Sequence, residues 1–225
     1  MGTLLLAAAF ALAWAGSVSG AESASAELEQ LRVTWAKVSD YQATIVARET
    51  SGKTQQERRF HFSYLRPDHA KAEMLDGPLR GMVAIWNGGE KVVTYHRGFL
   101  SGVRIAFNVR DKYVTSLRGN GLSSGDLGDA LKCFAGKIDD VRANEGPTVD
   151  GVETVELVLD GKGAPLHCPN DGALDDQQIT KDVIVFGRTT HLPMRRMRFA
   201  GDAQVEEWDL LDLRINTGLS SQDFT

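Results

Sequence analysis

The sequence is poor in several things that would have fixed its class at once. Cysteine occurs twice and proline six times in 225 residues. A chain of this length can bury a sizeable core without many disulfides. Basic residues are in no excess: 25 Lys plus Arg stand against 30 Asp plus Glu, a formal charge of -5. Phosphate neutralisation requires such an excess, so nucleic acid is excluded as a main partner. No apolar run is long enough to span a bilayer, which takes roughly 20 residues. No internal repeat or low-complexity tract occurs. The five histidines have no metal-ligand spacing, and Asn170-Asp171-Gly172 with Asp175 and Asp176 lacks the alternating ligands of a calcium loop. No metal and no cofactor is expected. Charged and apolar fractions of 24% and 42% exclude a wholly disordered chain.

The longest apolar run is Leu4 to Ala15, followed by small and polar residues. It fits the apolar stretch of a secretory leader, and Ser19 and Ala21 form a small-x-small cleavage site. Residues 1–21 are therefore read as a signal peptide and 22–225 as one domain. No cysteine sits at the cleavage site, so a periplasmic protein without a lipid anchor is expected. In an oxidising compartment Cys133 and Cys168 are expected to pair, tying a predicted helix to an irregular loop.

Leu28, Leu31, Trp35 and Val38 recur at helical spacing and predict a helix from Ala24 to Val38. The period then changes to two. Strands are predicted around Tyr41–Ala47, Phe60–Tyr64, His69–Leu75, Met82–Trp86, Lys91–His96 and Val103–Phe107. Further strands follow at Lys137–Arg142, Val152–Leu159, Asp182–Gly187, Pro193–Ala200 and Gln204–Ile215. A short helix is expected near Ser124, its N-cap, with Leu127, Leu131 and Phe134 on one face. Two irregular stretches remain, 110–129 and 161–180. Parallel βαβ units need a crossover helix for every two strands. Two helices cannot supply them, which leaves an antiparallel meander with helices on its concave side.

Two local motifs lack their context. Ala47 to Thr54 imitates a phosphate loop, but an alternating strand follows where a helix should. Gly121-Leu122-Ser123-Ser124-Gly125 imitates a nucleophile elbow with Ser123 as nucleophile. Asp160, His167 and His191 follow in triad order, but no buried strand precedes it. The protein is read as a non-enzyme, with a serine hydrolase using Ser123 as a weak alternative.

Alternate residues of a strand share a face. Phe60, Phe62, Tyr64 and Arg66 therefore point together. A charge at the end of an apolar row either bonds to a covering element or snorkels to water.

At this point the chain resembles the LolA-like periplasmic carriers of outer-membrane lipoproteins. The likeness is carried by the first helix leading into Val38-Ser39-Asp40-Tyr41-Gln42-Ala43 and by the alternating strand closed by Arg66-Pro67. It continues in the Asn87-Gly88-Gly89-Glu90 hairpin and in Asp212-Leu213-Arg214-Ile215-Asn216 with Leu219 and Phe224. The resemblance implies an unclosed antiparallel β-barrel of about eleven strands lidded by short helices, with an apolar cavity for acyl chains. It makes Arg66 a lid latch. Phe60, Phe62, Tyr64, Ala70, Ala72, Met74, Leu127 and Leu131 become the lipid-binding residues. It implies a monomeric carrier or chaperone of lipoprotein or lipid acyl chains, with transient membrane-bound donor and acceptor proteins. A lipid-sensing module of the RseB type in envelope signalling is the alternative from the same fold.

Overall fold

The computed structural model describes residues 20–98, 102–168 and 178–225. Residues 1–19 of the expected leader and the acidic Asn170–Asp176 run lie outside the described residues; the last two residues of that expected leader, Gly20 and Ala21, lie in the first helix. α1 (Gly20–Ala36) is followed by β1 (Asp40–Ser51), β2 (Thr54–Leu65), β3 (His69–Met74), β4 (Met82–Asn87), β5 (Lys91–His96) and β6 (Ile105–Asn108). A 3-10 turn (Leu122–Gly125), α2 (Leu127–Gly136) and a second 3-10 turn (Ile138–Asp140) then lead to the second run of strands. These are β7 (Val141–Glu145), β8 (Thr154–Asp160), β9 (Lys181–Gly187), β10 (Pro193–Ala200) and β11 (Ala203–Ile215).

The eleven strands form one sheet, ordered β6-β5-β4-β3-β2-β1-β11-β10-β9-β8-β7, with every neighbouring pair antiparallel. It consists of two meanders joined where β1 pairs with β11. The edges, β6 and β7, do not pair with each other, so the barrel is unclosed. Turn chemistry sets the register. Ser51 faces Thr54 across a two-residue turn in which Gly52 has φ 57°. The phosphate-loop imitation is thus a β-hairpin. At the β4–β5 turn Gly88 and Gly89 have φ 78° and 71°, a region glycine enters without steric cost.

The predicted apolar row Leu28, Leu31, Trp35 and Val38 is buried in the main core together with Ala24, with Val38 just beyond the end of α1. α1 packs against β7, β8 and α2. On the other face of the sheet, Val83 and Ile85 are covered by Phe224 and Leu219 of the C-terminal segment. Asp40 holds that segment in place, accepting hydrogen bonds from Thr217 N and Oγ1 at 2.7 Å each.

Several boundaries differ from the sequence expectation; the first helix ends at Ala36, β1 and β2 run longer on either side of their hairpin turn, and three other differences have a visible local cause. The strand expected at Lys137–Arg142 begins at Val141, because the chain leaving α2 first makes the 3-10 turn at Ile138–Asp140. β8 begins at Thr154 because Val149 and Val152 bridge across a tight turn. The N-cap of α2 is Asp126, whose carboxylate accepts from Gly128 N; Ser124 lies in the preceding 3-10 turn.

Candidate functional site

A cavity of about 460 Å³ opens on the concave face of the sheet. Strands β2, β3, β4, β6, β9, β10 and β11 all contribute to its wall, so the sheet wraps around it. Five of the residues expected there line it: Phe60, Phe62, Ala72, Met74 and Leu127. Phe60 and Phe62 meet edge to face, their centroids 6.2 Å apart. Alternation along β2 and β3 put them there, and the small Ala72 leaves the space that a larger side chain would fill.

Tyr64, Ala70 and Leu131 do not line the cavity. They belong to the packed core beside it. Tyr64 is paired with Ala70 across β2 and β3, and Tyr41 packs 5.7 Å from its ring. Its hydroxyl donates to Pro67 O at 2.8 Å. Leu131 points from α2 into the core shared with α1. Met82, Ala84, Ile105, Tyr113, Leu122 and Trp208 line the cavity without having been expected to. For Met82 and Ala84 the signal was available: they alternate with Val83 and Ile85, which face the other way.

Arg66 joins the sheet to both helices. Its Nη1 donates to the carbonyls of Trp35 (2.9 Å) and Val38 (2.8 Å), where α1 ends. A cation at a helix C-terminus is favourable because carbonyls there lack intrahelical partners. Its Nη2 donates to Asp126 Oδ1 at 3.1 Å, and the guanidinium lies 5.6 Å from the Trp35 ring. Asp126 is the hub that sequence reasoning missed. The same oxygen accepts from the Trp35 indole N–H at 2.9 Å and from Gly128 N at 2.8 Å. Burial works to raise the Asp126 carboxyl, but the bonds from Trp35, Arg66 and Gly128 outweigh it and hold the group below its usual value. Burial and the Asp126 charge push the Tyr64 hydroxyl up to about 12.

Beside Arg66 the 3-10 turn at Leu122–Gly125 meets the aromatic row directly. Tyr41 donates to Gly125 O at 2.6 Å. A Cβ at Gly125 would lie 2.5 Å from Phe62 Cζ and 3.3 Å from Tyr64 Cδ2. Only glycine lets the lid backbone rest on these rings. A disulfide joins Cys133 of α2 to Cys168, their Cα atoms 5.4 Å apart. It anchors the lid helix to the segment after β8.

The chain leading into this turn is also fastened. Arg118 donates from Nε to Glu206 Oε1 (2.8 Å), and its backbone N–H donates to Glu49 Oε2 (3.0 Å). Asn120 Nδ2 donates to both Glu49 (3.1 Å) and Glu206 (3.2 Å). Arg198 closes the cluster on Glu206.

Ser123 is exposed within the 3-10 turn, reached from loop rather than strand. Among the described residues no histidine hydrogen-bonds to it, and His191 stacks on Phe186 instead. Among the described residues no His/Cys/Asp/Glu group is arranged to hold a metal, and no helix is long and apolar enough to cross a membrane.

No protein-family model and no curated protein matches this chain. Solved structures do. An uncharacterized conserved protein from Thermus thermophilus is similar at a TM-score of 0.50 and 12% identity, over 90% of this chain and 92% of that one. A putative outer membrane lipoprotein-sorting protein domain from Vibrio parahaemolyticus is similar at 0.42 and 14%, over 91% and 97%. A LolA superfamily protein from Nitrosomonas europaea is similar at 0.40 and 12%, over 90% and 97%. At these identities the likeness is one of fold. The unclosed eleven-strand antiparallel sheet with two helices on it is the LolA-like architecture that the sequence resemblance implied.

Proposed function

We propose that the protein is a carrier that holds acyl chains, those of lipoproteins foremost, in the cavity and delivers them through the cell envelope towards the outer membrane. The observation that carries this reading is the cavity itself. Its volume of about 460 Å³ falls within the range of small-molecule sites, roughly 300–1,000 Å³. Its lining is mainly aromatic and aliphatic. Burying chain there contributes about 0.8 kcal/mol per CH₂. Binding is non-covalent, so no catalytic group is needed.

The latch supplies the release step. Arg66 and Asp126 tie the end of α1, the start of α2 and the sheet into one closed arrangement. A donor or acceptor at a membrane would shift the lid by competing for these bonds. The decisive measurement is extraction of a lipidated protein from vesicles, followed by transfer to acceptor vesicles. Wild type is expected to do both. Arg66→Leu is expected to extract but not to hand its cargo on normally: with the lid no longer held shut, it should lose the chain on the order of tenfold faster, the size of one charge-assisted hydrogen bond. Failure of wild type to take up any lipid would overturn the carrier reading. Unchanged transfer by Arg66→Leu would remove the latch alone.

A further inference from the structure

Four cationic side chains line the cavity, and among the described residues no carboxylate does. Their situations differ. Arg195 and Arg196 are held by Asp209 and Asp182. Lys112 is exposed and lies over the Tyr113 ring. Arg58 is the exception: the Phe60 ring lies 5.9 Å from its guanidinium, but its charge is withdrawn from water and, among the described residues, no carboxylate hydrogen-bonds to it.

Arg58 lies on the inward face of β2, two residues before Phe60. Its side chain is 21% exposed. Among the described residues its one ion pair is to Glu49 Oε1, at 3.6 Å, which is beyond hydrogen-bond range. Among the described residues its five N–H donors make no hydrogen bond. Glu49 is already engaged, accepting from Arg118 N and Asn120 Nδ2. Burial accordingly lowers the Arg58 pKa, and Glu49 restores only part of the loss. A second donor is close by in sequence and on the same face. The Gln56 carbonyl oxygen accepts from Leu117 N at 3.1 Å, which leaves its amide N–H₂ for a ligand.

We infer that Arg58 receives the anionic head of an amphiphile whose chain lies along Phe60, Phe62 and Met74. The head is a carboxylate or a phosphate monoester, both of which match the planar fork of a guanidinium. The inference rests on the lipid-binding reading and narrows it: the preferred ligand carries a negative charge at one end of the chain.

The test compares two anionic ligands with neutral counterparts, using purified protein stripped of lipid. Palmitate is set against methyl palmitate, and palmitoyl lysophosphatidate against monopalmitoylglycerol. Wild type is expected to bind at least one anion about tenfold or more tighter than its neutral partner, the size of one charge-assisted hydrogen bond. In Arg58→Met that ratio falls to about one, and Arg58→Lys keeps part of it because charge remains without the fork. The ratio is taken within each variant, so a general loss of stability does not imitate the effect. A tighter palmitate assigns the head to a fatty acid, and a tighter lysophosphatidate to a phospholipid. Equal affinities for charged and neutral ligands in wild type, or a preference retained in Arg58→Met, would overturn the inference while leaving the carrier reading intact. Binding of none of the four would overturn both.

Discussion

The segment from Arg110 to Gly136 covers the cavity; besides the Cys133–Cys168 disulfide and the Tyr41 bond to Gly125, it is fastened at two places by the same chemistry, an arginine and a carboxylate. At the Arg118 end both partners are buried, with Arg118 and Glu206 side chains each 4% exposed. At the Arg66 end the partners are 26% and 29% exposed. The bond types match, but the surroundings do not. Arg118 is enclosed by Glu49, Glu206, Asn120 and Thr50, which leave water no way to compete. Arg66 and Asp126 remain open to solvent on one side. Separating a buried pair strands a charge, whereas separating an exposed pair lets water take both partners. On the proposed carrier reading, the difference would give the two ends different roles: the Arg118 end the anchor, and the Arg66 end the part that opens.

The largest expected effect breaks the anchor. Arg118→Met strips Glu206 of its closest donor and should cost about 3–5 kcal/mol of folding stability. Urea unfolding measures this directly. A loss below about 1 kcal/mol would mean that the cluster is solvated in practice, and the contrast between the two ends would fall. A smaller effect is expected nearer the latch. Gly125→Ala pushes a Cβ into the Phe62 ring, and overpacking of this kind costs about 1–3 kcal/mol. If the latch end is the one that yields, the lid lifts locally. Hydrogen exchange should then rise at α2 and not at Arg118 to Asn120. Equal rises at both ends would show that the lid moves as one piece.

Much of this was readable from alternation, and some of it was not. Tyr41, Ala43, Ile45 and Ala47 alternate inwards, and the same step reaches Glu49. Glu206 likewise precedes Trp208 and Leu210 on the inner face of β11. Two inward carboxylates announce a buried basic partner, but nothing local says that it is Arg118 in a polar, glycine-rich stretch. Arg66 was readable as a charge closing an apolar row. Its partner was not, because Asp126 lies 60 residues away and its visible local role is helix capping. Strand β10 matched its expected span, bracketed by His191-Leu192 before Pro193 and by Gly201 after Ala200. The misplaced β7 had no such punctuation: Lys137 to Val141 contains no glycine or proline to mark the 3-10 turn.

The smallest effect isolates the charge on the latch. Asp126 titrates below its ordinary value of 3.8 in the folded protein. A group lowered by folding stabilises the fold above its unfolded pKa, and that contribution is lost as pH falls through the folded value. The latch charge should therefore be fully present at neutral pH and lost only below about pH 3.8. Asp40, Asp140 and Asp223 are also lowered, so the acid unfolding of wild type alone does not identify the latch. The difference between wild type and Asp126→Asn does. Asparagine keeps an oxygen for Trp35, Arg66 and Gly128 but carries no charge. Wild type should exceed the variant by about 1 kcal/mol or less near pH 6, discounted for the exposure of the pair. The two should converge as Asp126 becomes protonated. A gap that stays constant to low pH would trace the effect to packing rather than charge, and the latch would then resemble the anchor more closely than its exposure suggests.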